Sequence, residues 1–319
     1  PYLSRGLGDV YKRQTSYDAT SNREDLSNVI YNIDPTATPF MSAIGSKNIT
    51  NVVFDWQTEN LPTPSGTGQL EGFELSRATS TATTRESNVA QISSRDATVS
   101  GSQDASDPAG KKQELAHQMA LMSKALKRDM EVALCQNTAK NAGNATTARQ
   151  TRSFEAWITT NKSRGTGGAD GSASAAATDA ATGNRRALTE ALLKGVLQSM
   201  FTNGAEPKMA IAGPVNKGVI SGFTGRANTR QNVSADTVSA SISVYASDFG
   251  ELQIVPSNRS RDRSLLLVDP EYAKVAYLRN FQTMDIAKIG DADTKMILAE
   301  YGLEMSNEAA HGIVADLTA

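Results

Sequence analysis

Few side chains in this chain could do chemistry. Of 319 residues, two are histidine and one is cysteine: His117, His311 and Cys135. A hydrolytic triad needs a histidine oriented by an acid, with a nucleophile on a tight turn. His311 stands in AAHGIVADL close to Asp316, but no G-x-S-x-G occurs to supply the nucleophile. His311 therefore reads as structural. His117 lies two positions after Leu115, about 200° round a helix from the apolar stripe, which places it toward solvent or in a subunit contact. A lone Cys135 can form neither an internal disulfide nor a multi-thiolate metal site, and reads as a small buried hydrophobe. GTGQLEG at 66–72 has the glycine spacing of a phosphate-binding turn, but polar extended sequence follows where a helix is required. Gly110-Lys111 resembles the end of a P-loop, yet Ala105 stands at the first glycine position and Lys112 replaces the Ser or Thr. The carboxylates Asp129/Glu131 and Asp291/Asp293 are spaced i,i+2. On a helix that separates them onto different faces, and in a loop it is ordinary solvation. No catalytic residue, cofactor or metal is expected, and the chain is not expected to be an enzyme.

Composition narrows the classes further. Lys and Arg number 32 against 34 Asp and Glu, for a net charge of −2, so this is no basic nucleic-acid binder. No apolar run approaches the ~20 residues that span a membrane as a helix. Hydrophobic residues make up 39% and aromatics 6%, enough for a core but not a rich one. Residues 9–14, DVYKRQ, back-translate to a transposase end sequence used in preparing sequencing libraries. The segment 1–14 is expected to be translated adaptor and is set apart from fold reasoning. Removing it takes three basic residues (Arg5, Lys12, Arg13) and one acidic residue (Asp9), so the remainder is more acidic still.

The elements that would position any site follow from periodicity. In residues 15–50, Leu26, Val29, Ile30 and Ile33 keep helical spacing, and Pro35 and Pro39 should stop a helix and enforce extended backbone. A short helix followed by an extended arm is expected. VVFDWQTENL then alternates as a strand, PTPSGTGQLEG is a turn region, and TSTATTRESNVAQISSRDATVSG returns with weak period two. This is a long, polar, two-stranded excursion, too poor in apolar surface to be stable alone. Residues 107–141 predict one helix of about 30 residues, roughly 45 Å long. Asp107 and Pro108 would start it, and Leu115, Met119, Met122, Leu126, Met130 and Leu134 form its stripe. Lys127 and Glu131 would pair on its surface. Residues 163–184, SRGTGGADGSASAAATDAATGN, are mostly Gly, Ala, Ser or Thr, a loop composition compatible with disorder. Helices are expected at 188–202 and 215–222, with a strand at 208–212 between them. From Ser243 onward the sequence reads as strands. The class is α+β.

The segments REDLSNVIYNIDPTATPFMSAIG, FEAWITTNKSRGTGGADG, ALTEALLKGVLQSMFTNGAEPKMAIAGPVNKGVISGFTG, VYASDFGELQIVPSNR and SLLLVDPEYAKVAYLRNFQTMDIAKIGDADTKMILAEYGLEMSNEAAHGIVADL resemble the major capsid proteins of tailed bacteriophages. They run collinearly over about residues 17–317. The resemblance implies the Johnson fold, a phage major capsid architecture. Residues 15–50 would be the N-terminal arm and 51–104 the extended β-hairpin loop over a neighbouring subunit. Residues 105–148 would hold the long spine helix of the peripheral domain. The axial domain would be 149–263, and strands 264–319 would return through the axial sheet to the peripheral domain.

The resemblance also implies a function, self-assembly into the icosahedral shell of a virion, built in the bacterial host cytoplasm. Copies would form pentamers and hexamers, with scaffolding and portal proteins as partners. The shell would enclose double-stranded DNA without sequence-specific binding, and without a membrane. Pro35 and Pro39 would shape the arm. Trp56 would anchor the base of the extended loop or serve an ordinary core role. Trp157 would pack the axial domain. Arg279 would pair with an acid such as Glu300, or stand solvated at a strand end. Deleting residues 62–98 is expected to leave a soluble fold that forms no closed shells. The alternatives are a nanocompartment shell of the same fold and, in another class, a small-ligand-binding protein or enzyme using the loops at 144–187 and 223–243.

Overall fold

A computed structural model describes residues 38–59, 66–74, 82–106, 113–223, 243–288 and 290–318. In chain order, the first elements are helix α1 (Pro39–Ala43) and strands β1 (Gly45–Asn48), β2 (Val53–Thr58), β3 (Thr84–Val89) and β4 (Gln91–Ser100). Helices α2 (Gly101–Ala105), α3 (Glu114–Cys135) and α4 (Phe154–Trp157) follow. Next come β5 (Lys162–Ser163), α5 (Glu190–Thr202), β6 (Met209–Ala212) and α6 (Pro214–Ser221). The chain finishes with β7 (Val244–Ser247), β8 (Gly250–Pro256), β9 (Leu265–Val268), β10 (Ala273–Ile286), β11 (Ala292–Met305) and β12 (Gly312–Val314).

Three sheets result. One has the order β1-β10-β11-β4, a second β5-β12-β9-β6-β8-β7, and β2 pairs with β3 alone. The six-stranded sheet divides two cores. Along β9, Leu266 and Val268 belong to the core shared with α3, while Leu265 and Leu267 face the core under α5 and α6. Met209 and Ile211 of β6 alternate with Ala210 and Ala212 in the same way. Successive strand residues point to opposite faces, so a sheet covered on both sides reads as an unbroken apolar run. This is why LLLV carries no period-two signal.

The spine helix α3 lies across β4 and β11 and buries Leu126, Met130 and Leu134 completely. It has 22 residues, so it is about 33 Å long, shorter than the sequence spacing suggested. It stops at Cys135 because the polar NTAKNAGN segment turns away. Asn137 there exchanges hydrogen bonds with the backbone of Ala177, at 2.6 Å and 2.8 Å. The proposed start at Asp107 and Pro108 lies outside the described residues, as do Pro35 and the helix expected before it.

Pro39 begins a helix where it was expected to end one. Its ring suits the first turn, where its missing N–H would be unbonded anyway. The polar return of the excursion also differs from expectation. It splits at Ala90: β3 pairs with β2, but β4 joins β11 in the four-stranded sheet. A deletion of 62–98 would therefore remove all of β3 and most of β4, and would not leave the fold intact. Strand β10 runs from VAYL through FQTMDI as one strand, with register shifts against β11 at Arg279.

The Gly/Ala/Ser-rich stretch packs against the body of the chain. Asp316 accepts hydrogen bonds from Gly165 N–H at 2.9 Å and Ala180 N–H at 2.7 Å, and Ala177 and Ala180 are buried. Small side chains permit that close approach, and composition alone does not distinguish it from disorder. Helices α5 and α6 fall where expected. Thr189 caps α5, accepting from Leu192 N–H at 3.4 Å, and Gly213-Pro214 opens α6.

Candidate functional site

The hairpin formed by β2 and β3 is held at its base by aromatic packing. Phe54 and Trp56 point inward on alternate positions, and their rings stack 5.9 Å apart. Trp56 meets Trp157 at 5.4 Å. The Arg152 guanidinium lies 4.1 Å from the Trp157 ring, and its Nη2 donates to the Ala156 carbonyl at 2.7 Å. Burial pulls the Arg152 pKa below its ordinary value, partly offset by Glu86 and Glu308. Trp56 thus stands at the loop base. Trp157 lies in the core shared with α3, against Trp56, and not in the core under α5.

Two further features fix the hairpin. The buried Asn88 side chain accepts from Arg152 N–H at 2.9 Å and donates to the Leu303 carbonyl at 2.7 Å. It ties β3 to two neighbouring segments. Gly302 of β11 lies beneath the crossing. A Cβ there would sit 2.7 Å from the Phe54 ring, closer than real contacts allow, and a tight 3.0 Å from the Val89 carbonyl, so the ring would have to shift. Beyond the paired strands, the loop tip leaves Leu70 84% exposed and Phe73 53% exposed.

Arg279 does reach Glu300, at 2.7 Å, and Arg149 reaches the other carboxylate oxygen at 2.6 Å. Glu300 is buried between the two guanidiniums. Sequence reasoning found one arginine and missed the other, because Arg149 comes from a loop 151 residues away.

A second contact was also missed. Glu131 of α3 accepts from Phe40 N–H at 2.8 Å and Met41 N–H at 2.9 Å. It caps the start of α1 from outside, satisfying donors that a helix cannot satisfy itself. Burial raises its pKa, and the two N–H groups oppose that rise. It therefore does not pair with Lys127, which lies 5.8 Å from the Phe281 ring centroid. A signal was available in the sequence. Glu131 and Cys135 sit four apart, at the edge of the apolar stripe.

Two of the groups considered for chemistry, Cys135 and His311, are buried. Cys135 is buried, and burial pushes its thiol well above its usual pKa. His311 is fully buried, and its Nδ1 accepts from Asp269 N–H at 3.3 Å. Burial lowers its pKa to about 4. Its ring meets Phe154 edge-on at 5.2 Å, while the Asp316 carboxylate is engaged elsewhere. His117 of α3 is partly buried. Among the described residues, no three His, Cys, Asp or Glu side chains gather to hold a metal, and no helix is long and apolar enough to cross a membrane.

The subunit combines a long helix across a four-stranded sheet, a second sheet with its own helices, and a two-stranded hairpin. The chain belongs to the SU10 major capsid protein family, whose model matches residues 13–318. That match begins at the edge of the segment 1–14 set apart above. The major capsid protein of Escherichia phage Phieco32 is 31% identical over 126 residues. That stretch is 39% of this chain and 36% of the relative, so the match spans about a third of its length. Solved structures share the fold. A chain from Gordonia phage Cozz is 11% identical with a TM-score of 0.61, over 99% of both chains. A capsid chain of a native GTA particle is 12% identical with a TM-score of 0.62, over 95% of this chain and 98% of that one. A chain of the bacteriophage PhiM1 mature capsid is 12% identical with a TM-score of 0.60, over 98% and 96%. The expected Johnson fold is the observed one.

Proposed function

We propose that this chain is the shell subunit of a tailed-phage virion, acting by self-assembly. Family membership supports this reading, and the observation that carries it is the hairpin. Its base is clamped by Trp56 and Trp157, while its apolar tip is uncovered by its own chain. An excursion too polar to be stable alone gains its partner from another copy. Closed symmetry and multivalency then turn modest contacts into a stable shell.

In this reading residues 15–50 are the arm, 51–104 the extended loop, 105–148 the peripheral domain, 149–263 the axial domain and 264–319 the returning strands. Pro35 and Pro39 shape the arm, Trp56 and Trp157 anchor the loop, and Arg279 with Glu300 holds the strand pair that flanks it. Copies form pentamers and hexamers, with scaffolding and portal proteins as partners, in the host cytoplasm. The shell encloses double-stranded DNA without reading its sequence. A net charge of −2 suits this, because a basic inner wall would bind the genome and hinder packaging. The solved structures compared above belong to phages and a GTA particle, which supports the virion reading over a nanocompartment.

Light scattering and sedimentation of the purified chain, with and without a candidate scaffolding protein, test the proposal. Large particles of uniform size are expected. A small species in both preparations would refute it.

A further inference from the structure

We propose that His311 is a proton-sensitive latch at the seam between the two large sheets, closed while the imidazole is neutral and opened when it takes up a proton. This goes beyond the shell reading and holds for the single chain.

The seam contains two short connections. Residues 269–272 carry the chain from β9 of the six-stranded sheet to β10 of the four-stranded sheet. Residues 306–311 carry it back from β11 to β12. Each contains a single 3₁₀ turn, Pro270–Tyr272 or Glu308–Ala310. Such turns have poorer hydrogen-bond geometry than an α-helix. Ser306 N–H donates to the Tyr272 carbonyl at 2.8 Å, and Asp269 N–H donates to His311 Nδ1 at 3.3 Å. These bonds tie one connection to the other, and the second of them passes through the imidazole.

The second connection also has room to move. Asn307 and Glu308 line a cleft of about 430 Å³ together with Thr58 and Thr84 of the hairpin. Asn307 and Ala310 line another of about 220 Å³ with Asn203, just past the end of α5. Close-packed interiors resist displacement, whereas a connection beside open clefts is less constrained.

A proton on the ring breaks the tie. With Nδ1 as acceptor, the neutral imidazole keeps its one proton on Nε2. A second proton goes to Nδ1, which then meets the Asp269 N–H donor to donor. It also places a charge in a fully buried site, beside the Phe154 ring of the core that both sheets share. Among the described residues, the charged groups on the surrounding elements are engaged elsewhere. Asp269 accepts from Glu271 N–H, and Glu271 pairs with Lys208. Glu308 accepts from Thr159 and Thr160, Glu155 from Arg261 and Ser264, Asp316 from Gly165 and Ala180, and Glu304 from Lys47. Arg152 donates to the Ala156 carbonyl. The Tyr272 carbonyl favours the charged ring, but burial outweighs it.

The size of the effect follows. Burial lowers the His311 pKa from 6.5 to about 4 in the closed seam. An opened seam that exposes the ring restores the ordinary value. Between pH 6.5 and 4 the opened form therefore holds the extra proton. Each pH unit downward favours it by up to about tenfold, and the whole window by about 300-fold.

Spin labels on the unassembled full chain provide the test. Val244 and Ile286 are exposed, one on each sheet, and Cys135 is buried and stays unlabelled. The Val244→Cys/Ile286→Cys chain is labelled, and the distance between labels is measured by pulsed electron paramagnetic resonance from pH 7 to pH 4. Histidine-labelled NMR follows the ring directly, since His117 is the one other histidine. Fluorescence of Trp56 and Trp157 reports whole-chain unfolding. A second distance population is expected to grow as the His311 signal titrates, while the tryptophan signal stays native. In a His311→Gln background the distance should hold, because the amide oxygen still accepts from Asp269 N–H and does not titrate. The same change in both backgrounds overturns the inference, as does a constant distance while His311 titrates. A distance change that coincides with loss of the native tryptophan signal is whole-chain unfolding and overturns it too. If His311→Gln does not fold, the unsubstituted ring decides alone: a distance change complete before His311 titrates overturns the latch.

Discussion

The contact between α3 and α1 allows the most direct calculation. Glu131 satisfies two donors, the buried N–H of Phe40 and the part-buried N–H of Met41, at 2.8 Å and 2.9 Å. Phe40 itself is fully buried, against Phe154 at 5.6 Å. Glu131→Ala removes both acceptors. A buried donor left without a partner costs about 1–3 kcal/mol. Two such donors give a loss of about 2–6 kcal/mol in unfolding free energy. Glu131→Gln retains one acceptor oxygen, so it should lose about 1–3 kcal/mol. Urea denaturation of the unassembled chain, at fixed concentration and pH 7, ranks the three proteins. Hydrogen exchange adds a local readout, with faster exchange expected at Phe40 and Met41. The sign of the pH effect also follows. The folded pKa of Glu131 lies above its usual value. Between the two values the folded state therefore binds more protons, and this group's contribution to stability increases as pH falls. Glu131→Gln should lack that component. An alanine variant within about 0.5 kcal/mol of wild type, the scale of an ordinary surface substitution, would refute the reasoning, because the two donors would then have another partner.

Four further outcomes are expected. Glu300→Ala removes the shared acceptor of Arg149 and Arg279, which both keep partial access to water, and should cost about 1–3 kcal/mol by denaturation. Arg279→Ala, at a side chain 40% exposed, should cost no more than about 1 kcal/mol. For His311, burial lowers the folded pKa to about 4 from 6.5. The unfolded state binds more protons in that window, so stability falls by about 3 kcal/mol as pH drops through it. Replacing His311 with Gln should flatten that dependence in a urea titration from pH 7 to 4, and an unchanged slope would contradict it. Replacing residues 60–81 with a short Asn-Gly turn keeps β2 and β3 intact. It should give folded protein by circular dichroism and no shells by light scattering; normal shells would remove the loop from the assembly account.

Much of the fold was legible where local signals were strong. Helices α5 and α6 fall at the expected positions, opened by the Thr189 cap and by Gly213-Pro214, because capping chemistry is local. The end of α3 was not legible, since Asn137 stops it through contacts with Ala177, forty residues on. The split at Ala90 was hidden because β3 and β4 have the same polar composition, and only their partners differ. Pro39 was misread because the residue suits both an extended arm and a first helical turn. The arginine pair at Glu300 was half legible. Arg279 and Glu300 lie on paired strands of one hairpin, whereas Arg149 arrives through tertiary folding. Composition could not show that His311 is held neutral by burial.

The central claim is that many copies of this chain close into a shell through the extended loop. Cryo-electron microscopy of particles assembled from the purified chain, with a scaffolding protein where one is required, tests it most directly. The account predicts a closed icosahedral shell in which residues 66–74 of each copy lie on the neighbouring copy. Particles whose loop tips contact no other subunit, or a chain that remains small and soluble with and without the partner, would contradict it.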